Sequence, residues 1–376
     1  MTTEFKIRNE IRSLTAFRFI AAFYVFLFHL QGRVDIFGHG AFGSLISQGA
    51  VGMTMFFVLS GFVLSHAYDS VTFDIRKYAL NRIARIYPIY LLAAILALPW
   101  LWRDIFVEAQ KQNLLYTSIE TLIILFTGIT LTQSWIPQTF ALWNNGASWS
   151  ISNEAFFYSI FPILKGIFSK LSRGYLIGSF VALCLFSSLI PASDIVFSNK
   201  LHSFSLFYAL PLYRLPEFIC GIITYHLCKR AVISNMTRML LLVVIFAGIA
   251  HVTVFGMFFS GNFTLNNYIF IPAVSAAIVI LYDAELRGVA YMGGAVFVWL
   301  GRISYCFYSF QFHVLEGLKW VLKPGNNPTG EIRYALIATL LLLILAAIAH
   351  HFVEEPVRIW LRGWAKNAQR ELVPEG

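Results

Sequence analysis

Eleven long apolar runs, separated by short polar segments, dominate the chain. The first covers residues 14–30, and the others lie near 47–67, 86–101, 119–136, 149–168, 174–192, 205–227, 238–258, 268–283, 295–321 and 334–353. Runs of this length and continuity are typical of helices that cross a bilayer and are too long for the strands of a membrane barrel. The pattern therefore predicts an all-α, polytopic transmembrane helix bundle.

The basic residues predict how this bundle is oriented. Lys and Arg occur at 1–13, 76–85, 170–173 and 229–238, at Arg287 and in the C-terminal tail. Basic loops collect in the cytoplasm, so we expect both termini there. Three runs lie between the basic segments at 82–85 and 170–173. If both segments are cytoplasmic, the chain between them must cross the membrane an even number of times. We therefore expect about ten spans plus one short or re-entrant segment between residues 86 and 168.

Composition supports this assignment and excludes other classes. The 376 residues are 58% hydrophobic and 12% charged, with a mean hydropathy of +0.69. A soluble domain has about 25% charged residues, so we predict a single integral-membrane domain over residues 1–376. The net charge of +9 fits cytoplasmic loops and does not indicate a nucleic-acid partner. The four cysteines lack metal-ligand spacing, and we predict no metal site.

The first apolar run contains two ionisable residues, Arg18 and His29. Eleven residues of α-helix turn about 20° past three full circles and rise about 16 Å, so both side chains lie on one face. A charged side chain in a bilayer is costly unless it has a partner, which makes an ionisable residue there a candidate for function. We expect this helix to face a reaction centre.

Arg82 and Arg85 form the centre of the densest basic segment. At a spacing of three residues on a helix they share a face and can present two guanidinium groups to one anion. Ordinary anchoring of a helix at the membrane surface is the alternative. Because Tyr87-Pro88 is expected to start the next helix at once, the pair would lie at the mouth of the bundle, where it suits a phosphate-bearing ligand.

Glu154 is an acidic residue near the start of an apolar run. Ser150 and Tyr158 lie one turn on either side of it, on the same helical face. A carboxylate at this depth needs a partner, and Arg18, His29 and His313 are the candidates. The alternative to a catalytic role is that Glu154 serves as a structural partner of Arg18.

The segment 301–313 is too polar for a helix that faces lipid. Arg302 and His313 are eleven residues apart, as Arg18 and His29 are, and Tyr305 lies between them. In a chain so rich in Phe, coincidence is the favoured interpretation. The alternative hypothesis places the two helices side by side, both running outward, with His29 and His313 at one centre.

Near the C-terminus, His350/Glu354 and His351/Glu355 have helical i, i+4 spacing. Zinc binding is conceivable for such pairs. The residues that follow, Pro356 and Arg358, favour instead a helix end that is held by ion pairs.

Taken together, these motifs resemble the membrane acyltransferase family 3, bacterial O-acyltransferases of surface and secreted glycans and of some small natural products. The marks occur in the family's order and span nearly the whole chain: Arg18-x10-His29, the stretch 56–62 with Ser60-Gly61, Arg82-x-x-Arg85 with Tyr-Pro, Trp149-Ser150 with Glu154, the stretch 301–305 with His313, and Glu355-Pro356. Each mark is weak alone, and the set is specific.

The resemblance implies transfer of an acyl group, usually acetyl from acetyl-CoA, to an acceptor hydroxyl. Arg82 and Arg85 would hold the CoA phosphates, and Arg18 would hold a phosphate or the thioester carbonyl. His29 would act as general base, with Glu154 orienting it or carrying its charge. The supporting residues would be Ser60, Trp149, Ser150, Tyr158, Arg302, Tyr305 and His313.

The resemblance also implies a multi-pass protein of the bacterial inner membrane, with lipid, acyl-CoA and a glycan or lipid-linked sugar as partners. Three alternatives stay open: an O-acyltransferase of a small natural product, a proton-coupled transporter, and a non-catalytic subunit of a glycan export complex. A transporter predicts inverted repeats, and the sequence shows none.

Overall fold

The fold is built from helices. The structure, a computed structural model, describes residues 10–69, 73–110, 114–136, 148–196, 208–229, 233–258, 263–323, 327–361 and 363, and these contain no strand. The helices are α1 (Arg12–Gln31), α2 (Ala41–Ser47), α3 (Gly52–Tyr68), α4 (Ile75–Ala109), α5 (Leu114–Thr130), α6 (Trp149–Phe168), α7 (Arg173–Val196), α8 (Pro211–Cys228), α9 (Asn235–Phe258), α10 (Phe263–Ile269), α11 (Ile271–Leu286), α12 (Ala295–Leu322) and α13 (Pro328–Ala349). The all-α prediction is confirmed.

Six helical stretches in the described part of the chain are long and apolar enough to cross a membrane. They are Arg12–Gln31, Gly49–Tyr68, Ile75–Val107, Asn235–Phe255, Asn266–Leu286 and Pro328–Leu361. Four other helices in the described residues, α6, α7, α8 and α12, have 18 residues or more, and each carries ionisable side chains. The total of about ten spans is therefore not confirmed.

The basic segment around Arg82 is part of a membrane-length helix. We expected a new helix to start at Tyr87-Pro88, and this was wrong: α4 is one helix of 35 residues with Pro88 and Pro99 inside it. Proline removes one backbone hydrogen bond, but neighbouring groups in a membrane bundle can satisfy the freed carbonyl. Arg82 therefore lies inside α4 and is fixed by it.

Of the α-helices described between residues 86 and 168, α5 is the shortest, and the short or re-entrant segment stays a prediction. Helix α5 has 17 residues, and its last carbonyls accept hydrogen bonds from α4: Tyr90 Oη is 2.6 Å from the Gly128 oxygen. A 3₁₀ turn, Gln133–Trp135, then contacts the first turn of α6, where Ser134 Oγ donates to the Trp149 oxygen at 2.6 Å.

Helices α1 and α12 pack side by side and run in the same direction, as the alternative hypothesis proposed, whereas its placement of His29 and His313 at one centre stays a prediction. Thr15 lies against Gly301, where a Cβ would come within 2.0 Å of the Thr15 oxygen. Further along, Gln311 donates to the Ala22 oxygen at 3.0 Å. Residues that flank α1 form ion pairs with α12 at both ends, Glu10–Arg302 at 2.7 Å and Arg33–Glu316 at 2.6 Å.

Two glycines allow α3 and α8 to cross at close range. A Cβ on Gly61 would lie 2.0 Å from the Phe218 oxygen, and one on Gly221 would lie 1.9 Å from the Val58 oxygen. Small residues permit this approach in membrane helices. Phe218 also stacks on Phe157 of α6, with centroids 5.0 Å apart, so α3, α6 and α8 form one packed unit.

Candidate active site

A central cavity collects most of the polar side chains that the sequence predicts. It has a volume of about 760 Å³ and lies between α1, α3, α4, α6 and α12, with Met53 and Phe56 in its apolar wall. The predicted site residues in its lining are Arg18, Ser60, Arg82, Arg85, Ser150, Glu154, Tyr158 and Tyr305. Residues from five helices that are distant in sequence therefore meet in one chamber.

Glu154 is held at this cavity by hydroxyl groups. Tyr158 donates to Glu154 Oε1 at 2.5 Å, and Ser60 donates to the same oxygen at 3.4 Å. The predicted common face of Glu154 and Tyr158 is thus confirmed. Among the described residues, no ion pair within 4.0 Å joins Glu154 to Arg18, His29 or His313, the candidate partners, and the role of Glu154 stays a prediction. Two hydroxyl donors and the open cavity already satisfy the carboxylate.

Arg18 and Arg82 bring two positive charges to the cavity. Within the part of the chain that the structure describes, neither takes part in an ion pair, and Arg82 Nε has no hydrogen-bond partner. The Arg82 Cζ lies 5.4 Å from the Tyr158 ring centroid and 5.9 Å from that of Tyr78. These ring faces steady the guanidinium without neutralising it. Both arginines are therefore available to an anion.

Arg85 differs from Arg82 because it has a buried counter-ion. Its Nη1 lies 3.0 Å from Glu354 Oε1, and Glu354 is fully buried. The other carboxylate oxygen of Glu354 contacts His350 Nδ1 at 2.8 Å and Cys306 Sγ at 3.3 Å. Arg85 also lies 5.8 Å from the ring centroid of Tyr305. This network holds Arg85 at the cavity wall and cancels much of its charge.

The C-terminal motif supports the structural interpretation of its histidines. Helix α13 continues into a π-helical turn, His350–Glu354, and Arg358 pairs with Glu355. Cys306, His350 and Glu354 place possible ligand atoms within 4.8 Å of one another. However, the Arg85 guanidinium already binds this carboxylate, and its positive charge opposes a metal cation. The absence of a metal site stays a prediction.

A larger opening, the basic vestibule, leads into the central cavity. Its volume is about 1540 Å³, and it shares Arg18, Arg82 and Arg85 with the cavity. Arg302 and Arg358 also line it. Arg302 is tied to Glu10 by the ion pair between α1 and α12, so it belongs to the rim rather than to the chamber.

Four predicted site residues lie outside the lining of the central cavity: Arg302 at the rim of the vestibule, and His29, His313 and Trp149. His29 is partly buried beside Phe28, and the helical rise places it about 16 Å along α1 from Arg18. His313 is buried, and its Nε2 contacts the Ala93 oxygen of α4 at 2.8 Å. Trp149 is buried against Tyr208, with centroids 4.5 Å apart. The roles predicted for these residues stay predictions.

The sequence interpretation missed one buried ionic group, Arg214 and Glu217 of α8. Both side chains are fully buried, with Arg214 Nε 3.0 Å from Glu217 Oε2. They lie inside the apolar run 205–227, so the rule that singled out Arg18 and Glu154 would have found them. Thr54 of α3 donates to Glu217 Oε1 at 2.6 Å.

Comparisons with known proteins place the chain in a family. A curated relative, acyltransferase MdmB of Streptomyces mycarofaciens, is 26% identical over 92% of this chain and 91% of its own length. An uncharacterized protein of Haemophilus influenzae is 26% identical over 62% of this chain and 95% of its own. No solved structure matches the chain. Residues 11–351 match the acyltransferase domain of the acyltransferase 3 family, and the chain therefore belongs to that family.

Proposed function

We propose that this protein transfers an acyl group, most consistently acetyl, from acyl-CoA to a hydroxyl of a cell-surface or exported glycan. The observation that carries the proposal is the central cavity, where the free guanidiniums of Arg18 and Arg82 meet the Glu154 carboxylate. Membership of an acyltransferase family supports the reaction type.

The donor enters through the basic vestibule in this proposal. CoA carries several phosphates, and guanidinium groups bind phosphate oxygens with paired, charge-assisted hydrogen bonds. Arg82 and Arg18 supply the free charge, and Arg85 supplies a guanidinium held in position by Glu354. The apolar wall formed by Met53, Phe56 and their neighbours suits the pantetheine arm and the acyl group.

In the transfer step, a base takes the proton of the acceptor hydroxyl, and the oxygen attacks the thioester carbonyl. The C–O bond forms, the C–S bond breaks, and CoA leaves as a thiolate that receives the proton. His29 is the proposed base. Since it lies about 16 Å beyond Arg18, its use requires a passage past Glu154 that opens when acyl-CoA binds. Glu154 and Tyr158 would guide the thioester along that path.

The orientation follows from charge. The arginines of the vestibule and of segment 76–85 support a cytoplasmic position for this mouth, on the side where acyl-CoA is made, because basic loops tend to stay inside. The proposal therefore includes a multi-pass protein of the bacterial inner membrane with cytoplasmic termini. Lipid surrounds it, and a glycan or lipid-linked sugar is the acceptor.

The test uses the full-length protein in lipid nanodiscs with acetyl-CoA labelled in the acetyl group. We expect CoA release and labelling of surface glycans extracted from the source organism. His29→Ala should abolish labelling and keep the thermal unfolding profile. His39→Ala is the matched control, since His39 is 93% exposed.

The outcomes separate the candidate functions. Label on small secreted products but not on glycan would support the natural-product acyltransferase. Proton-coupled substrate flux without consumption of acetyl-CoA would overturn the enzyme assignment in favour of a transporter. Labelling by the His29→Ala protein at the wild-type rate would remove His29 from the mechanism.

A further inference from the structure

A second polar group lies deeper in the bundle than the central cavity. Arg214 and Glu217 form a fully buried ion pair at 3.0 Å, and Thr54 donates to the free oxygen of Glu217 at 2.6 Å. Thr54 Oγ1 is also 3.1 Å from the backbone oxygen of Asn267. The side chains of Arg214, Glu217 and Thr54, together with the backbone of Asn267, thus join α3, α8 and α10 in one cluster, which we name the Arg214 cluster.

Aromatic rings surround the guanidinium of this cluster on several sides. The Arg214 Cζ lies 5.2 Å from the ring centroid of Phe57, 5.7 Å from Trp149, 5.6 Å from Tyr208 and 5.8 Å from Tyr268. A few convergent polar groups among aromatic walls are the usual composition of a small-molecule site.

The cluster also has hydrogen-bonding capacity that the protein does not use. Within the part of the chain that the structure describes, Arg214 Nη1 and Nη2 make no hydrogen bond of normal geometry, although Arg214 interacts with the Tyr268 side chain, and the side-chain oxygen and nitrogen of Asn267 have no hydrogen-bond partner. Both residues are fully buried. Buried polar groups without partners are costly, and in native proteins they call for an explanation. A ligand that both donates and accepts hydrogen bonds would supply the missing partners.

The adjacent residue, Asn266, has hydrogen-bond partners within the protein, as a buried asparagine with a structural role should. Asn266 is equally buried, but its Nδ2 donates to Gln48 Oε1 at 2.7 Å, and its Oδ1 lies 3.2 Å from His251 Nε2. The two neighbouring asparagines are equally buried but differ in hydrogen bonding. Other side chains bind the amide of Asn266, whereas the side-chain amide of Asn267 has no partner among the described residues.

The Arg214 cluster adjoins the central cavity at its deep end. Phe57 lines the cavity on one side and lies against Arg214 on the other. Ser150, which also lines the cavity, is the neighbour of Trp149 on α6. Thr54 precedes Ser60 by six residues on α3, a rise of about 9 Å away from the vestibule. The cluster thus lies on the far side of Glu154 from the proposed entry of the donor.

We infer that the Arg214 cluster is the subsite for the acceptor, and that it binds the hydroxyl-bearing part of an uncharged sugar ring. Glu217 neutralises Arg214, so the cluster does not favour an anion, whereas free N–H donors and a free amide suit hydroxyl groups. The aromatic rings suit the apolar faces of a sugar. The inference rests on the proposed function, because only a transferase has an acceptor.

The experiment compares Asn267→Leu with Asn266→Leu in the full-length protein. If Asn267 is kept open for a ligand, replacing it with an apolar residue of similar size removes an unsatisfied amide and raises the Tm. Transfer of labelled acetyl to extracted surface glycan should fall about tenfold, while hydrolysis of acetyl-CoA without glycan stays within about twofold of wild type. Asn266→Leu breaks two satisfied hydrogen bonds and should lower the Tm.

A second variant removes both charges of the ion pair, so that no unpaired charge is left buried. Arg214→Met combined with Glu217→Gln should remain folded, because apolar replacement of a buried pair is often neutral for stability. We expect it to hydrolyse acetyl-CoA and to fail in transfer to glycan.

The results separate the inference from the proposed function. Wild-type protein that neither hydrolyses acetyl-CoA nor labels glycan overturns both. An active wild-type protein, together with variants that label glycan as fast as wild type, overturns the acceptor subsite alone. A fall in Tm for Asn267→Leu equal to that of Asn266→Leu assigns the cluster to structure and overturns the inference as well.

Discussion

The two arginines of the Arg-x-x-Arg motif should respond differently to the same substitution. Arg82 has no counter-ion among the described residues and lines both the central cavity and the vestibule. Arg85 is paired with the buried Glu354. We therefore expect Arg82→Gln to impair donor binding with little effect on folding, and Arg85→Gln to impair both.

The magnitudes follow from what each side chain contacts. A hydrogen bond to a charged group contributes about 1.5–3 kcal/mol, so loss of Arg82 should reduce kcat/KM for acetyl-CoA roughly 10- to 100-fold. Removing one partner of a buried ion pair costs on the order of 3 kcal/mol, because the carboxylate left behind has lost its counter-charge. Arg85→Gln should therefore also lower the Tm.

The assay measures CoA or pantetheine release from two donors, acetyl-CoA and S-acetylpantetheine, which lacks phosphate groups. Arg82→Gln should lose activity with acetyl-CoA and keep wild-type activity with acetylpantetheine. Glu354→Gln combined with Arg85→Gln provides the stability control, since it removes both charges of the pair.

Two results would refute this reasoning. Equal losses with both donors would show that Arg82 does not contact phosphate. A Tm for Arg82→Gln as low as that for Arg85→Gln would show that Arg82 has a structural partner.

Other predictions follow from packing, hydrogen bonding and charge. Gly61→Ala should lower the free energy of unfolding by about 3 kcal/mol, and with it the Tm, because the new Cβ would lie 2.0 Å from a carbonyl oxygen of α8. An unchanged Tm would contradict the close crossing of α3 and α8. Tyr158→Phe removes the 2.5 Å hydrogen bond to Glu154 and should lower kcat about tenfold with an unchanged KM for acetyl-CoA; unchanged kcat excludes that bond from catalysis. Burial raises the pKa of Asp69, but the Lys229 ammonium 2.8 Å away outweighs it and holds that pKa below its usual value. Since the folded pKa is depressed, the Tm advantage of wild type over Asp69→Asn should be present above about pH 4 and vanish as the pH falls further.

The sequence was sufficient for the helical class and for much of the central cavity. An ionisable residue in an apolar run is costly in a membrane and usually has a specific role. This rule identified Arg18, Arg82, Arg85 and Glu154. Their convergence could be expected only from the family resemblance, since spacing within one helix carries no information about neighbouring helices. For the same reason, the sequence alone could not decide whether α1 and α12 pack side by side.

Other features depend on three-dimensional packing that local patterns do not encode. Pro88 indicates a helix start by its local preference, yet neighbouring groups in the bundle allow α4 to continue through it. The sequence offered ionic partners for Glu154, whereas the structure supplies hydroxyls from Tyr158 and Ser60. Arg214 and Glu217 were visible in principle, but their aromatic surroundings come from four separate segments.

The ion pairs at the two ends of α1 and α12 have a consequence for motion. Glu10–Arg302 and Arg33–Glu316 connect the two helices near their opposite ends. Sliding or separation of one helix relative to the other would therefore break at least one of these ion pairs. The close crossing of Gly61 and Gly221 similarly locks α3 to α8. Opening of the chamber therefore cannot come from separation of α1 from α12, or of α3 from α8, while these contacts last.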